Sequence, residues 1–169
     1  MKILETERLA LRELTIEDAA FIFALVNDPA WLRYIGDRGV RTLEDAQRYI
    51  MNGPQASYAQ HGFGLYLTEQ KASGTPLGIC GLLKRATLAD VDLGFAFLPQ
   101  FRGRGFAFEA AHATLTYAKD QHGLRRVVAI TSPENERSIT VLEKLGFTFE
   151  QSLRMSPNEA EVKLFAVQL

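Results

Sequence analysis

The stretch Gln100-Phe101-Arg102-Gly103-Arg104-Gly105-Phe106-Ala107 is the strongest guide to the architecture, because it joins a predicted strand directly to a predicted helix. The first N–H groups of an α-helix have no partner within the helix, and the helix dipole adds partial positive charge at that end. Glycine removes the side-chain bulk that would keep a phosphate away from these amides. The turn therefore predicts an anion site, although an isolated Gly-x-Gly also fits an ordinary tight turn.

The elements on either side of this turn are the clearest in the chain. Small and apolar residues from Ala107 to Ala118 recur at helical spacing until Gly123, which predicts a helix. Before the turn, three apolar runs separated by polar turns predict a three-stranded antiparallel meander at residues 63–68, 77–83 and 91–98.

The remaining segments extend the same alternation of helices and strands. Imperfect period-two alternation predicts a first strand over residues 3–14, and capping patterns at Thr15/Asp18 and Thr42/Asp45 each begin a helix. The first of these helices should end near Asn27 and the second at Gly53-Pro54. After Gly123 we expect a strand, a helix and two strands, at residues 126–131, 136–145, 147–153 and 162–169. The predicted class is mixed α/β, with about seven strands and about four helices.

Composition narrows the function classes. A chain of 169 residues with 47% hydrophobic residues fits one compact domain, so we expect residues 1–169 to form a single domain. The 19 basic and 20 acidic residues nearly cancel, so a nucleic-acid partner is not expected. Cys80 is the only cysteine, which rules out an intrachain disulfide or a thiolate metal cluster and fits a reducing cytoplasm. No run approaches the roughly 18 apolar residues of a membrane helix, so no membrane partner is expected.

The sequence resembles the GNAT superfamily of N-acetyltransferases. The family fingerprint Arg/Gln-x-x-Gly-x-Gly/Ala is similar to Arg102-Gly103-Arg104-Gly105-Phe106-Ala107, and three further stretches occur in family order. They are Asp92-Leu93-Gly94-Phe95, Asn135-Glu136-Arg137-Ser138 and Leu142-Glu143-Lys144-Leu145-Gly146-Phe147. The opening Thr6-Glu7-Arg8-Leu9-Ala10-Leu11-Arg12 resembles the branch that contains N-terminal acetyltransferases of ribosomal proteins.

This resemblance implies a bent central sheet that splays into a V between its fourth and fifth strands, where the pantetheine arm of acetyl-CoA lies. It implies that the arm pairs with backbone near Ala96, Phe97 and Leu98, and that the pyrophosphate accepts N–H bonds from the turn. The remaining cofactor-binding residues so implied are Arg102, Gly103, Arg104, Gly105, Phe106, Ala107 and Asn135. The two arginine side chains also fit a solvated turn, and Asn135 also fits a helix N-cap.

The resemblance further implies two catalytic residues, Asp92 and Ser138. Asp92 aligns with a position that is often Glu, where a carboxylate takes the proton of the attacking amine directly or through water; a charge at the solvent-facing start of a strand is the alternative. Ser138 aligns with a serine proposed to protonate or hydrogen-bond the departing thiolate, and a surface helix serine is the alternative. Leu142 stands where many relatives carry a tyrosine acid. Because a thioester is already activated, no covalent enzyme intermediate is needed, so Cys80 is expected to be a small buried hydrophobe, and no metal site is predicted.

The acceptor amine remains open at the level of sequence. An α-amine, with a pKa near 8, needs less deprotonation work than lysine, so a weak base favours a protein N-terminus. A small amine such as a polyamine, amino sugar or amino acid is the second hypothesis, for which Asp37, Glu44 and Asp45 would supply acidic groups. A non-catalytic acetyl-CoA binding module is the third, and the protein is expected to be a monomer or a homodimer. Trp31 and Tyr34 are assigned either to the core or to the acceptor pocket.

Overall fold

A computed structural model describes all of residues 1–169 and contains one mixed sheet of eight strands. The strands are β1 (Lys2–Glu5), β2 (Leu9–Arg12), β3 (Leu65–Gln70), β4 (Pro76–Leu83), β5 (Asp92–Phe97), β6 (Arg126–Thr131), β7 (Thr148–Arg154) and β8 (Glu161–Gln168). They lie in the order β1-β2-β3-β4-β5-β6-β8-β7. Every neighbouring pair is antiparallel except β5 and β6, which are parallel. The predicted mixed α/β class and the three-stranded meander are confirmed.

The prediction of one first strand over residues 3–14 is wrong. The segment forms two antiparallel strands, β1 and β2, joined by a turn that begins at Thr6. The Thr6 N–H donates to the Leu9 carbonyl at 2.9 Å, and the Leu9 N–H donates to Thr6 Oγ1 at 3.0 Å. A threonine hydroxyl offers the backbone a local partner, which interrupts the strand and raises the strand count from seven to eight.

Six α-helices are present where about four were predicted. They are α1 (Ala19–Val26), α2 (Pro29–Tyr34), α3 (Leu43–Ile50), α4 (Ala56–His61), α5 (Phe106–His122) and α6 (Glu136–Lys144). One of the two additional helices, α2, lies between the two predicted early helices, where no element was predicted. Asp28 Oδ2 accepts from the Ala30 N–H at 3.1 Å and Pro29 occupies the first helical position, which together favour a helix start.

The expected helix end at Gly53-Pro54 is also wrong. A π-helical turn over Met51–Gln55 carries the chain from α3 into α4 with Pro54 inside it. Proline lacks an N–H and its ring crowds the preceding turn, so the wider turn lets the helix continue past it. The predicted capping box at Thr42 is confirmed, since Asp45 N–H donates to Thr42 Oγ1 at 3.0 Å.

Hydrophobic clusters cover both faces of the sheet. Side chains alternate between the faces, so Tyr66 and Cys80 pack with the α5 cluster while Leu67 and Ile79 pack with the cluster of α1 to α3. Cys80 is fully buried, and burial raises the pKa of its thiol to about 12, which agrees with a structural role. No helix is long and apolar enough to cross a membrane.

Candidate active site

Strands β5 and β6 meet at one point and then part. Their only paired residues are Asp92 and Val128, where the Val128 N–H donates to the Val91 carbonyl at 3.0 Å. Beyond this pair the two strands diverge, as the family resemblance implies. The edge of β5 that follows Asp92 is therefore left open.

The antiparallel ladder between β4 and β5 determines which backbone groups face this opening. The Leu98 N–H donates to the Leu77 carbonyl at 3.0 Å, so the backbone of even-numbered residues in β5 faces β4. Of the expected residues, Phe97 alone therefore has backbone groups facing the opening, whereas those of Ala96 and Leu98 face β4. Phe95 also faces the opening and was missed, although counting the strand alternation from Phe97 would have identified it.

The glycine-rich turn leaves six consecutive N–H groups, from Gly103 to Phe108, without a protein hydrogen-bond partner. The Arg102 N–H is not one of them, because it donates to the Pro99 carbonyl at 3.2 Å. Gly103 and Gly105 have φ angles of 76° and 80°, which favour glycine. The free amides thus begin one residue later than expected and extend one residue further, to Phe108.

The two arginines of the turn differ in their surroundings. Arg102 Nη2 donates to Asp28 Oδ2 at 3.2 Å and to the Phe97 carbonyl at 3.0 Å, so its side chain ties the turn to α2. This contact excludes the alternative of a solvated Arg102 side chain. Arg104 is exposed and forms no ion pair. Arg104 therefore remains available to a ligand, whereas Arg102 is engaged within the protein.

The sequence model of the family described as acetyltransferase (GNAT) domain matches residues 8–148. The chain belongs to the GNAT acetyltransferases. The N-acetyltransferase YoaA of Bacillus subtilis, itself uncharacterized, is 30% identical over 154 residues, which are 90% of this chain and 86% of that protein. A GNAT-family acetyltransferase structure from Bacillus anthracis has a TM-score of 0.82 at 26% identity, covering 99% of this chain and 98% of that one. The ribosomal protein uS5-alanine N-acetyltransferase of Escherichia coli is 29% identical over 90 residues, 52% of this chain and 45% of that protein.

Asp92 of this acetyltransferase lies at the vertex of the opening and is only 1% exposed. The alternative of a solvent-facing charge is therefore wrong. Arg85 Nε donates to Asp92 Oδ1 at 3.3 Å, while Oδ2 is buried with no hydrogen-bond partner. Burial raises the pKa of Asp92 to about 6, and the nearby Arg85 only partly offsets that rise. A carboxylate with a free oxygen and a pKa near neutrality has the properties of a general base.

Asn135 and Ser138 lie on the β6 side of the opening, at the start of α6. Asn135 Oδ1 accepts from the Ser138 N–H at 3.3 Å, so the N-cap alternative for Asn135 is confirmed. Ser138 is partly exposed, and no protein hydrogen bond engages its hydroxyl. Leu142, where a tyrosine acid is common, is buried in the core. Asp92 in β5 and Ser138 in α6, which follows β6, thus lie on the two sides of the opening in this acetyltransferase.

The contacts also show the surroundings of the residues that were expected near the acceptor amine. Trp31 is buried in the core cluster of α1 to α3, and Tyr34 is partly exposed beneath the Arg33 guanidinium. The carboxylates of Asp37 and Asp45 pair with Arg41 and Arg48. No group of three or more His, Cys, Asp or Glu side chains is placed to hold a metal ion. The sequence analysis did not identify Arg85 as a site residue, because Arg85 belongs to no recognisable sequence motif.

Proposed function

We propose that residues 1–169 form one domain that transfers the acetyl group of acetyl-CoA directly to the α-amine of a protein N-terminus. The observations that support this most are the parting of β5 and β6 after Asp92 and the six free amides at the start of α5, beyond the other end of β5. Acetyltransferases of this family use acetyl-CoA. The free N–H groups of residues 103–108 would hold its pyrophosphate, and the open backbone of Phe95 together with the Phe97 N–H would pair with its pantetheine arm. The Phe97 carbonyl already accepts from Arg102.

The thioester supplies an acetyl group that is already activated for attack. The amine nitrogen forms the new bond to the carbonyl carbon as the bond to sulfur breaks, and Asp92 takes the proton that the nitrogen must lose. Asp92 Oδ2 has no hydrogen-bond partner, and because this atom is buried it would take the proton through an intervening water. The Ser138 hydroxyl, also without a protein partner, hydrogen-bonds or protonates the departing thiolate.

An α-amine is favoured over a polyamine by the charges around the early helices. A polycation would need several free acidic side chains, yet of the three candidates only exposed Glu44 forms no ion pair. Arg41 pairs with Asp37 and lowers the pKa of that carboxyl to about 2. Asp45 is engaged by Arg48 and by the N-terminus of α3. The partial similarity to the uS5-alanine enzyme points toward the same class of acceptor.

The deciding experiment measures thiol release from acetyl-CoA with matched peptides. One peptide has a free α-amine and no lysine, and the other has a blocked α-amine and one lysine; spermidine, an amino sugar and free amino acids complete the panel. We expect turnover with the first peptide only. Turnover confined to a small amine would contradict the proposed acceptor, and coenzyme binding without any turnover would contradict the enzymatic proposal.

Variants of the proposed catalytic residues test the mechanism separately. Asp92→Asn should lower kcat by about 100-fold or more while coenzyme affinity is retained, because general base catalysis contributes about that much. Ser138→Ala should also lower kcat. Asp90→Asn is the matched control, since this partly exposed residue lies two positions before Asp92, pairs with Arg126 and should leave kcat unchanged. Unchanged turnover in both site variants would overturn the assignment.

A further inference from the structure

The opening Thr6 to Arg12 motif has no role in the proposed mechanism, yet its turn contacts the first turn of α5. The Thr6 hydroxyl and the Arg8 N–H both donate to Glu109 Oε2, the latter at 3.0 Å. Arg8 Nε donates to Glu109 Oε1 at 2.7 Å. Burial alone would raise the pKa of Glu109, but these donors outweigh it and lower the pKa below its usual range. Glu109 is therefore an ionised carboxylate held by three donors.

The same arginine also reaches the glycine-rich turn. Arg8 Nη1 donates to the Arg104 carbonyl at 3.0 Å, and the guanidinium lies 4.4 Å from the centre of the Phe106 ring. A Cβ atom on Gly105 would lie 3.5 Å from Arg8 Nη2. One side chain thus lies against three consecutive residues within the stretch of free amides.

This contact fixes the orientation of a peptide that glycine would otherwise leave mobile. In a trans peptide the C=O and the following N–H point in opposite directions, so holding the Arg104 carbonyl turns the Gly105 N–H away from Arg8. That N–H has no protein partner. The Arg8 cation also neutralises Glu109, whose charge would otherwise repel a phosphate at the same helix end.

We propose that Arg8, braced by Thr6 and Glu109, is a positioning residue that holds the glycine-rich turn so that its free amides meet the coenzyme pyrophosphate. This inference rests on the proposed function, since it requires coenzyme A to bind at that turn. The competing explanation is that these contacts only fasten the β1-β2 hairpin to α5. The two explanations differ in which part of the coenzyme is affected when Arg8 is changed.

The test is calorimetric titration of Arg8→Gln with coenzyme A, dephospho-coenzyme A and pantetheine. Because Arg8→Gln removes the hydrogen bond from a charged guanidinium to the Arg104 carbonyl, we expect the affinities for coenzyme A and dephospho-coenzyme A to fall at least about tenfold. The affinity for pantetheine should be unchanged. Arg12→Gln is the matched control from the same motif, because Arg12 pairs with Asp18 at 2.8 Å and Glu69 at 3.4 Å, away from the turn. It should leave all three affinities unchanged.

Any other result would overturn either the positioning role of Arg8 or the proposed function. An equal loss for all three ligands, or the same loss in Arg12→Gln, would show a structural role and overturn the inference. A loss for coenzyme A alone would point to its 3′-phosphate and also overturn it. Arg8→Lys keeps the charge but cannot span Glu109 and the Arg104 carbonyl together, so wild-type affinity in that variant would overturn the inference even if Arg8→Gln fails to fold. Failure of the wild type to bind coenzyme A would instead overturn the proposed function itself.

Discussion

Asp92 is the residue whose titration should govern the reaction. With a pKa near 6 it is ionised at neutral pH, whereas an α-amine with a pKa near 8 is mostly protonated there. The logarithm of kcat/KM should therefore rise with a slope of about two below pH 6 and about one between pH 6 and 8. In Asp92→Asn the slope should stay near one from pH 5 up to about pH 8. A pH profile from 5 to 9 checks this, and identical slopes in both proteins would exclude Asp92 as the base.

The same residue should also make stability depend on pH. Its pKa is near 6 in the folded protein and 3.8 ordinarily, so the unfolded chain releases the proton first and the folded state loses stability as pH rises from about 4 to about 6. Asp92→Asn removes this cost and should raise the free energy of unfolding at pH 7 by up to about 3 kcal/mol, with the difference disappearing near pH 4. Urea unfolding at both pH values measures it. A variant less stable than the wild type at pH 7 would show that the Arg85 contact dominates.

At the scale of elements, the sequence predicts best where the signal is local. The β-branched run from Arg126 to Thr131 predicts β6 with its observed bounds, and the Thr42 capping box predicts the start of α3. Pro54 wrongly predicts a helix end, because a π-helical turn accommodates this proline and the chain remains helical. Two contacts could not be predicted from periodicity or propensity. The contact of Arg8 with Glu109 joins segments distant in sequence, and the contact of Arg85 with Asp92 belongs to no repeating pattern.

The turn before α5 allows a prediction with a closely matched control. Gly103 has a φ of 76° and Gly74, in the turn between β3 and β4, has a φ of 72°, and a Cβ on either would meet no atom within 4 Å. Alanine at either position should therefore lower the free energy of unfolding by a similar amount, about 1–2 kcal/mol. Only Gly103→Ala should weaken coenzyme A binding, because the run of six free amides proposed to hold the pyrophosphate lies in the Gly103 turn. Equal coenzyme affinity in the two variants would contradict a role for the turn.

At the scale of the whole molecule, the sheet consists of two parts joined by one residue pair. Strands β1 to β5 form one part and β6 to β8 the other, and Asp92 and Val128 are the only pair that connects them. A ligand that occupies the opening would make hydrogen bonds to both parts. Coenzyme binding should therefore stabilise the molecule as a whole, by about 2.7 kcal/mol at 100 times its Kd.

Amide hydrogen exchange should reveal this bridging residue by residue. The Phe95 and Phe97 amides face the opening, so they should exchange rapidly in the free protein and slow by at least about tenfold with saturating coenzyme A, since each would gain a hydrogen-bond partner. The Ala96 and Leu98 amides face β4 and serve as internal controls in the same segment, already protected before the ligand is added. Pantetheine should protect Phe95 and Phe97 but not residues 103–108, because it lacks the pyrophosphate. If coenzyme A protects only residues 103–108, the pantetheine arm does not enter the opening, and the assignment of Phe95 and Phe97 to it is wrong.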